Sequence, residues 1–343
     1  MLLVTFHGGS KGINNIYAYN SDGTVASKAA LEQPKQGTLS ELRAMVLANG
    51  LLYVANGAKS ESTVLAYEVP RSGTQFENAG TLIGPTLSKK GHFETSIAHP
   101  FGIVFENAAT RNISNQDTNV VSQVDVTGGS LGAVSPYLKD LFPTGTFLSG
   151  TYVASQVGSL PDVNVLTTAV DHVHGGLGVS FDSSGKVRNS VRDVAIANGI
   201  LFVCDEPEKV VDLYALADGR YLGSSTALST SPTHLATNNG GLYVSAGSNL
   251  YWGPLPQSAS AASISLQAVA LTPPSSKDPL KIGGISFDGA STLYIPFQEG
   301  TGDSKKAGGS IYGYGVSSQN PPVPTGGTAF VASLPDTPEF VLY

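Results

Sequence analysis

The chain has one cysteine, one tryptophan and two methionines, and only 13% of its 343 residues are charged. A single thiol cannot close an internal disulfide, so the fold does not rest on an oxidising compartment. That thiol, Cys204, ends the apolar run from Ile200 and reads as a buried, inert side chain rather than a nucleophile. Long apolar runs are missing too. Nothing approaches the roughly 20 residues that span a bilayer, and the opening MLLVTFHGGS lacks the basic start and the length of a signal peptide. A soluble chain with no membrane partner is expected, with a cytoplasmic address, or a secreted one if a leader has been removed; Asn112-Ile-Ser114 is a formal glycosylation sequon. Runs of Lys and Arg are absent, the formal charge is −7 and the pI is near 5.3, which argues against a nucleic-acid partner. The Gly-Gly pairs at 8–9, 175–176, 283–284 and 308–309 lack the spacing and the Lys-Ser or Lys-Thr of a phosphate loop, and read as turns. There is no Gly-x-Ser-x-Gly elbow of an α/β-hydrolase, and no aromatic platform repeats as in a multivalent lectin.

What the chain does have is 40 glycines, 20 prolines and many Ser, Thr and Val, a composition for short strands joined by turns. It also repeats. LRAMVLANGLLYVANGAKSESTVLAYEV at 42–69 and VRDVAIANGILFVCDEPEKVVDLYAL at 191–216 each read as an apolar strand, an Asn-Gly turn, a second apolar strand, a polar loop and a third strand. Looser copies start at 99, 232 and 282. The C-terminal TPEFVLY supplies only the first strand of a copy, and the N-terminal LLVTFHGGSKGINNIYAYN only the second and third. Paired, the two ends complete a sixth unit, the closure by which propellers remove exposed sheet edges. The expectation is all-β: one six-bladed β-propeller domain over residues 1–343, with its termini sharing a blade and a long insertion at about 140–190, a degenerate seventh blade in that stretch being the alternative.

Aligned on their apolar runs, the copies place Glu339, Arg43, Phe101, Asp193, His234 and Gly284 at one position of the innermost strands. They place His7, Asn56, Asn115, Asp205, Ala246 and Phe297 just after the second strands. One strand leaves the face to which the next returns, so both rings are expected at one mouth of the central channel. Three readings stand for these polar groups: a mutually satisfied network in which Arg43 offsets the carboxylates, a metal site, and a metal-free acid/base site. His172 and His174, in VDHVHGGLG, would share one face of a strand and read as a surface pair or a lid over the site. His99 lies one residue before the ring and reads as a turn histidine that reaches the mouth. His92, in the charged SKKGHFE, reads as solvated.

The pattern LFVCDEPEKVVDLYAL resembles an NHL-type repeat, and NISNQDTNVVSQVDV has the turn and strand common in that group and in SMP-30/gluconolactonase-like propellers. This resemblance implies a divalent metal held by Glu339, Asp193 and Asp205, although Asp193 stands where that family has asparagine. An oxygen-rich set suits Ca²⁺, Mg²⁺ or Mn²⁺, and participation of His7 and His234 shifts it toward Zn²⁺ or Fe. The expected activity is metal-assisted hydrolysis of a lactone or ester by a monomer, on a small-molecule substrate. Asp193, His234, Arg43 and His7 are the expected catalytic groups, and Asn56, Asn115, His99, His172 and His174 the rest of the pocket. The alternatives are a metal-free lyase or isomerase acting through His7 and His234, and a non-catalytic propeller that binds a protein or glycan.

Overall fold

The Asn-Gly pairs fold as their chemistry requires. Asn49 and Gly50 take φ of 52° and 76°, Asn198 and Gly199 take 51° and 74°, and Asn239 and Gly240 take 48° and 74°. Two successive left-handed residues make the type I′ turn, whose twist matches that of the flanking strands. The registers are correspondingly tight, with Ala48 opposite Leu51, Ala197 opposite Ile200 and Asn238 opposite Gly241.

The structure, a computed structural model, describes residues 1–7, 12–35, 37–57, 62–83, 99–105, 110–115, 121–125, 134–138, 180–181, 187–188, 191–206, 208–217, 221–260, 263–276, 280–289, 291–300, 308–317 and 324–343. Among them there is no helix. Sheet I pairs Pro338–Leu342 with Leu2–Phe6, then Tyr17–Tyr19 and Val25–Ser27, so the two ends of the chain share a sheet. Sheet II is Leu42–Ala48, Leu51–Asn56, Thr63–Glu68 and Glu77–Ile83, and sheet III is Pro100–Phe105, Thr110–Asn115, Val121–Asp125 and Val134–Leu138. Sheet IV is Val191–Ala197, Ile200–Asp205, Val210–Ala215 and Tyr221–Ser225, extended by Ser263–Ile264. Sheet V is Pro232–Asn238, Gly241–Ala246, Asn249–Pro254 and Gln267–Ala268. In sheet VI, Lys281–Ile282 and Ser286–Phe287 pair with Thr292–Glu299, followed by Gly308–Val316 and Pro324–Leu334. Ser180–Phe181 and Val187–Arg188 form a separate two-stranded pair. Most of the expected insertion, with His172 and His174, lies outside the described residues, as does His92.

The sheets are stacked as the blades of a β-propeller. Apolar layers fill the spaces between neighbours, for example Phe202, Val211 and Leu213 against Leu242 and Val244, and Leu2, Val4 and Phe6 against Ile311 and Val331. The first strands line the axis. Leu42–Ala48 touches Pro338–Leu342 and Pro100–Phe105, and the latter touches Val191–Ala197, which touches Pro232–Asn238. Gly284 closes the circuit on Phe340, its N–H donating to the Glu339 carbonyl at 2.7 Å while its own carbonyl accepts from Val341 N–H at 3.0 Å.

One irregularity repeats in all six of these sheets. Leu42 faces Asn56 but Met45 faces Val54; Pro100 faces Asn115 but Ile103 faces Ile113; Val191 faces Asp205 but Val194 faces Val203. Pro232 and Ala246 are followed by His234 and Ser245, Pro338 and Phe6 by Val341 and Val4, and Ile282 and Phe297 by Ser286 and Tyr294. Each inner strand thus holds one residue more than its partner, a β-bulge at the mouth of the channel that re-aims the side chains there.

Candidate functional site

The bulge changes which residues are equivalent. Directly after the first paired residue stand Arg43, Phe101, Arg192, Thr233, Gly283 and Glu339; one step later stand Ala44, Gly102, Asp193, His234, Gly284 and Phe340. The ring expected from the sequence mixed these two sets, because strand periodicity alone does not reveal an inserted residue. Two polar side chains were missed in consequence, Arg192 and Thr233, and both line the cavity that opens here.

That cavity has a volume of about 600 Å³, and His7, His234, Glu339, Thr233, Thr337 and Arg192 are on its walls. Arg43 lies beneath it, 2% exposed, with its guanidinium 5.9 Å from the Phe101 ring centre. Nη1 of Arg43 is 2.8 Å from Nδ1 of His7 and 3.7 Å from Oε1 of Glu339, and Nη2 is 3.4 Å from Oε2 of Glu41. Burial opposes ionisation of Glu339, but nearby positive charge, first of all the Arg43 guanidinium, outweighs it and holds the carboxyl well below the usual carboxylate range. Arg43, one of the expected catalytic groups, is therefore not on the cavity wall; it orients His7 and Glu339 from behind.

The hydrogen bonds assign the histidine tautomers. A guanidinium has only donors, so the 2.8 Å contact places a lone pair on Nδ1 of His7 and the hydrogen on Nε2. Glu339 Oε2 is 3.2 Å from the same Nδ1. At His234, Nδ1 is 2.9 Å from Thr233 Oγ1, whose hydroxyl donates to the Ser245 carbonyl at 3.3 Å. Thr233 therefore accepts from Nδ1–H, which leaves the Nε2 lone pair of His234 free. That Nε2 and Thr337 Oγ1 are buried without a hydrogen-bond partner among the described residues. The His234 ring lies between Phe340, edge-on with ring centres 4.6 Å apart, and Phe101, tilted at 5.4 Å. Burial lowers its pKa to about 4, so the ring is neutral at pH 7.

The remaining expected residues have other work. Asp193 Oδ1 accepts from its neighbour's N–H, Val194, at 2.9 Å, and Oδ2 accepts from Leu235 N–H of the next sheet at 3.0 Å. Burial raises its pKa to about 7 despite these bonds. Asp205 Oδ1 accepts from Glu208 N–H at 3.1 Å in the following turn. Beside it, burial and then the Asp205 charge push Asp212 well above its ordinary value. Asn56 ties the strand ends of its own sheet, accepting from Ser40 N–H at 2.7 Å and donating to the Thr38 carbonyl at 2.9 Å. Asn115 ends its strand opposite Pro100. His99 is buried at φ 51°, with its N–H on Ser62 Oγ at 2.7 Å and Nε2 at 3.6 Å from Glu41. Gly284 is an axial spacer, since a Cβ there would meet the Phe340 ring at 2.3 Å.

The donor set does not fit the metal that the family resemblance implied. Glu339 faces a resident guanidinium, both oxygens of Asp193 are taken by backbone N–H groups, and Asp205 serves a turn. Among the described residues no three His, Cys, Asp or Glu side chains are grouped to hold a metal ion. Nor is any helix among them long and apolar enough to cross a membrane.

No protein-family model and no curated protein matches the chain. Solved structures do. The periplasmic gluconolactonase PpgL of Pseudomonas aeruginosa is 13% identical, the match covering 95% of this chain and 82% of that one at a TM-score of 0.56. A putative 6-phosphogluconolactonase of Bacteroides fragilis is 13% identical over 95% and 81% of the two chains, TM-score 0.54. The β-propeller domain of Myceliophteria thermophila Cps50 (Swd1) is 11% identical over 94% and 86%, TM-score 0.50. At these identities the shared property is the fold, and the resemblance to gluconolactonase-like propellers holds at that level.

Proposed function

We propose that the protein is a lactone hydrolase whose site is the cavity between His7 and His234, in a single six-bladed ring. The blade number is supported by six sheets of four or more strands among the described residues. The observation that carries the activity is the pair of imidazoles in opposite tautomers lining one cavity, one presenting a lone pair and the other an N–H. The gluconolactonase and the putative 6-phosphogluconolactonase of the same fold add support for the reaction class.

In this reading His234 Nε2 accepts a proton from water as the water oxygen bonds to the lactone carbonyl carbon. The oxyanion accepts a hydrogen bond from His7 Nε2–H, with the Thr337 hydroxyl as a second donor. The ring C–O bond then breaks, and the proton on His234 passes to the departing alkoxide. A buried imidazolium of low pKa is a strong acid, which suits this second step. The products are the hydroxy acid and unchanged enzyme. Arg43 holds His7 in its donating tautomer throughout. The metal-free lyase or isomerase chemistry would use the same two rings. A purely interaction-based role would instead place the function on the blade surfaces, away from this cavity.

The test is proton release at constant pH on a panel of five- and six-membered lactones, before and after extensive treatment with a chelator. Hydrolysis above the spontaneous rate that survives chelation supports the proposal; no acceleration on any lactone would overturn it.

A further inference from the structure

The cavity carries a feature that ring opening does not use. In a chain of formal charge −7, three cationic side chains reach its walls, Arg192, Lys209 and Lys281. Arg192 is committed, its Nε donating to Glu206 Oε2 at 2.8 Å and its guanidinium lying 5.3 Å from the Phe101 ring centre. Lys209 and Lys281 have no ion-pair partner among the described residues. They come from sheets IV and VI, on either side of the sheet that carries His234.

Backbone contacts bring these two lysine positions to one hydroxyl-rich segment. The Lys209 carbonyl accepts from Leu228 N–H at 2.9 Å, which starts the stretch Ser229, Thr230 and Ser231 along the cavity wall. Thr230 Oγ1 donates to the Ala246 carbonyl at 2.8 Å, and the next carbonyl, Gly247, accepts from Ile282 N–H at 2.9 Å, one residue after Lys281. Lys209 itself stands at φ 58°, a left-handed backbone that a lysine seldom adopts and that the Leu228 bond helps to maintain. The two carboxylates of the lining, Glu206 and Glu339, are engaged by Arg192 and by Arg43 and His7, so two ammonium groups without an ion-pair partner among the described residues stand beside hydroxyls in a concave wall, a receptor for negative charge.

We propose that the substrate carries an anionic group, carboxylate or phosphate, which Lys209 and Lys281 hold over the Ser229–Ser231 segment while the reacting carbonyl lies at His7 and His234. The identity of the reacting group rests on the lactonase reading; the anion site does not. Charge-assisted hydrogen bonds of this kind change affinity by about tenfold or more per lysine.

Isothermal titration calorimetry of the 343-residue chain with inorganic phosphate and, separately, with acetate tests this directly. The wild type is expected to bind at least one of the two anions, more weakly as salt is raised, and the arm that binds identifies the source of the charge. The Lys209→Gln, Lys281→Gln double variant is expected to bind it about 100-fold more weakly, whereas His234→Gln keeps wild-type anion affinity. Failure of the wild type to bind either anion, or equal affinity in the lysine double variant, would overturn the proposal. Anion binding that depends on the lysines, in a protein that accelerates no lactone hydrolysis, would leave the anion site standing and remove the lactonase reading alone.

Discussion

Arg43 is the residue on which the geometry of the candidate site depends most. It is a buried cation whose charge is met by Glu339 and whose donor fixes the His7 ring. Glu339→Gln removes the buried one of the two carboxylate partners of Arg43 among the described residues and leaves only the exposed Glu41, so the variant should lose up to about 3 kcal/mol of unfolding free energy. Replacing both partners, Arg43→Met with Glu339→Leu, should recover much of that loss, because apolar groups leave no charge to solvate; urea denaturation of the three variants measures both. His7, His234, Arg43 and Glu339 were all legible from strand register. The roles of Asp193 and Asp205 were not, because their partners, Leu235 in the next sheet and the Glu208 turn, are invisible to a pattern read along one strand. Lys281 gives no sequence signal at all, since it acquires its neighbours only through the Gly247–Ile282 contact between sheets.

At the scale of the strands, the repeated bulge presses the axial chains together. Gly102 lies against Asp193, and a Cβ there would stand 2.4 Å from Asp193 Oδ1 and 2.9 Å from the Asp193 Cα and Val194 N. Backbone cannot swing aside as a flexible side chain does. Gly102→Ala should therefore cost about 1–3 kcal/mol, as overpacking does, and shift the Asp193 tether that joins sheets III, IV and V. Gly80→Ala, whose Cβ would meet nothing within 4 Å, is the control expected to stay within about 0.5 kcal/mol; thermal unfolding of the pair decides. The hairpins were legible because Asn-Gly names its own turn. The bulge was not, since an extra residue in one strand leaves the apolar pattern of both strands almost unchanged.

For the whole molecule, two buried axial groups oppose each other in their effect on acid stability. Asp193 has a folded pKa of about 7 against an ordinary 3.8, so between those values the folded protein holds more protons and stability falls as pH rises. His234 has a folded pKa of about 4 against 6.5, so over that interval the unfolded chain holds more protons and stability rises with pH. Each contribution is on the order of a few kcal/mol. Unfolding free energy followed from pH 4 to pH 6.5 should rise more steeply in Asp193→Asn than in the wild type, and fall more steeply in His234→Gln; identical slopes in all three would refute the assignment of these shifts. The propeller itself was legible in the repeat and in the incomplete units at the two ends, which pair as Leu3 with Leu342 and Val4 with Val341. Most of the stretch at about 140–190, whose strand-like runs lack the Asn-Gly signal, lies outside the described residues.

The central claim is that His234 moves the proton in lactone hydrolysis. The most direct measurement is the pH dependence of kcat/KM for lactone hydrolysis in the wild type and in His234→Gln. The account predicts full wild-type activity from neutral pH downward until an acid limb near pH 4, where His234 takes up its proton. It predicts that His234→Gln is slower by about 10²–10⁴-fold and lacks that limb. A His234→Gln variant that keeps the wild-type rate and the same acid limb would contradict the account.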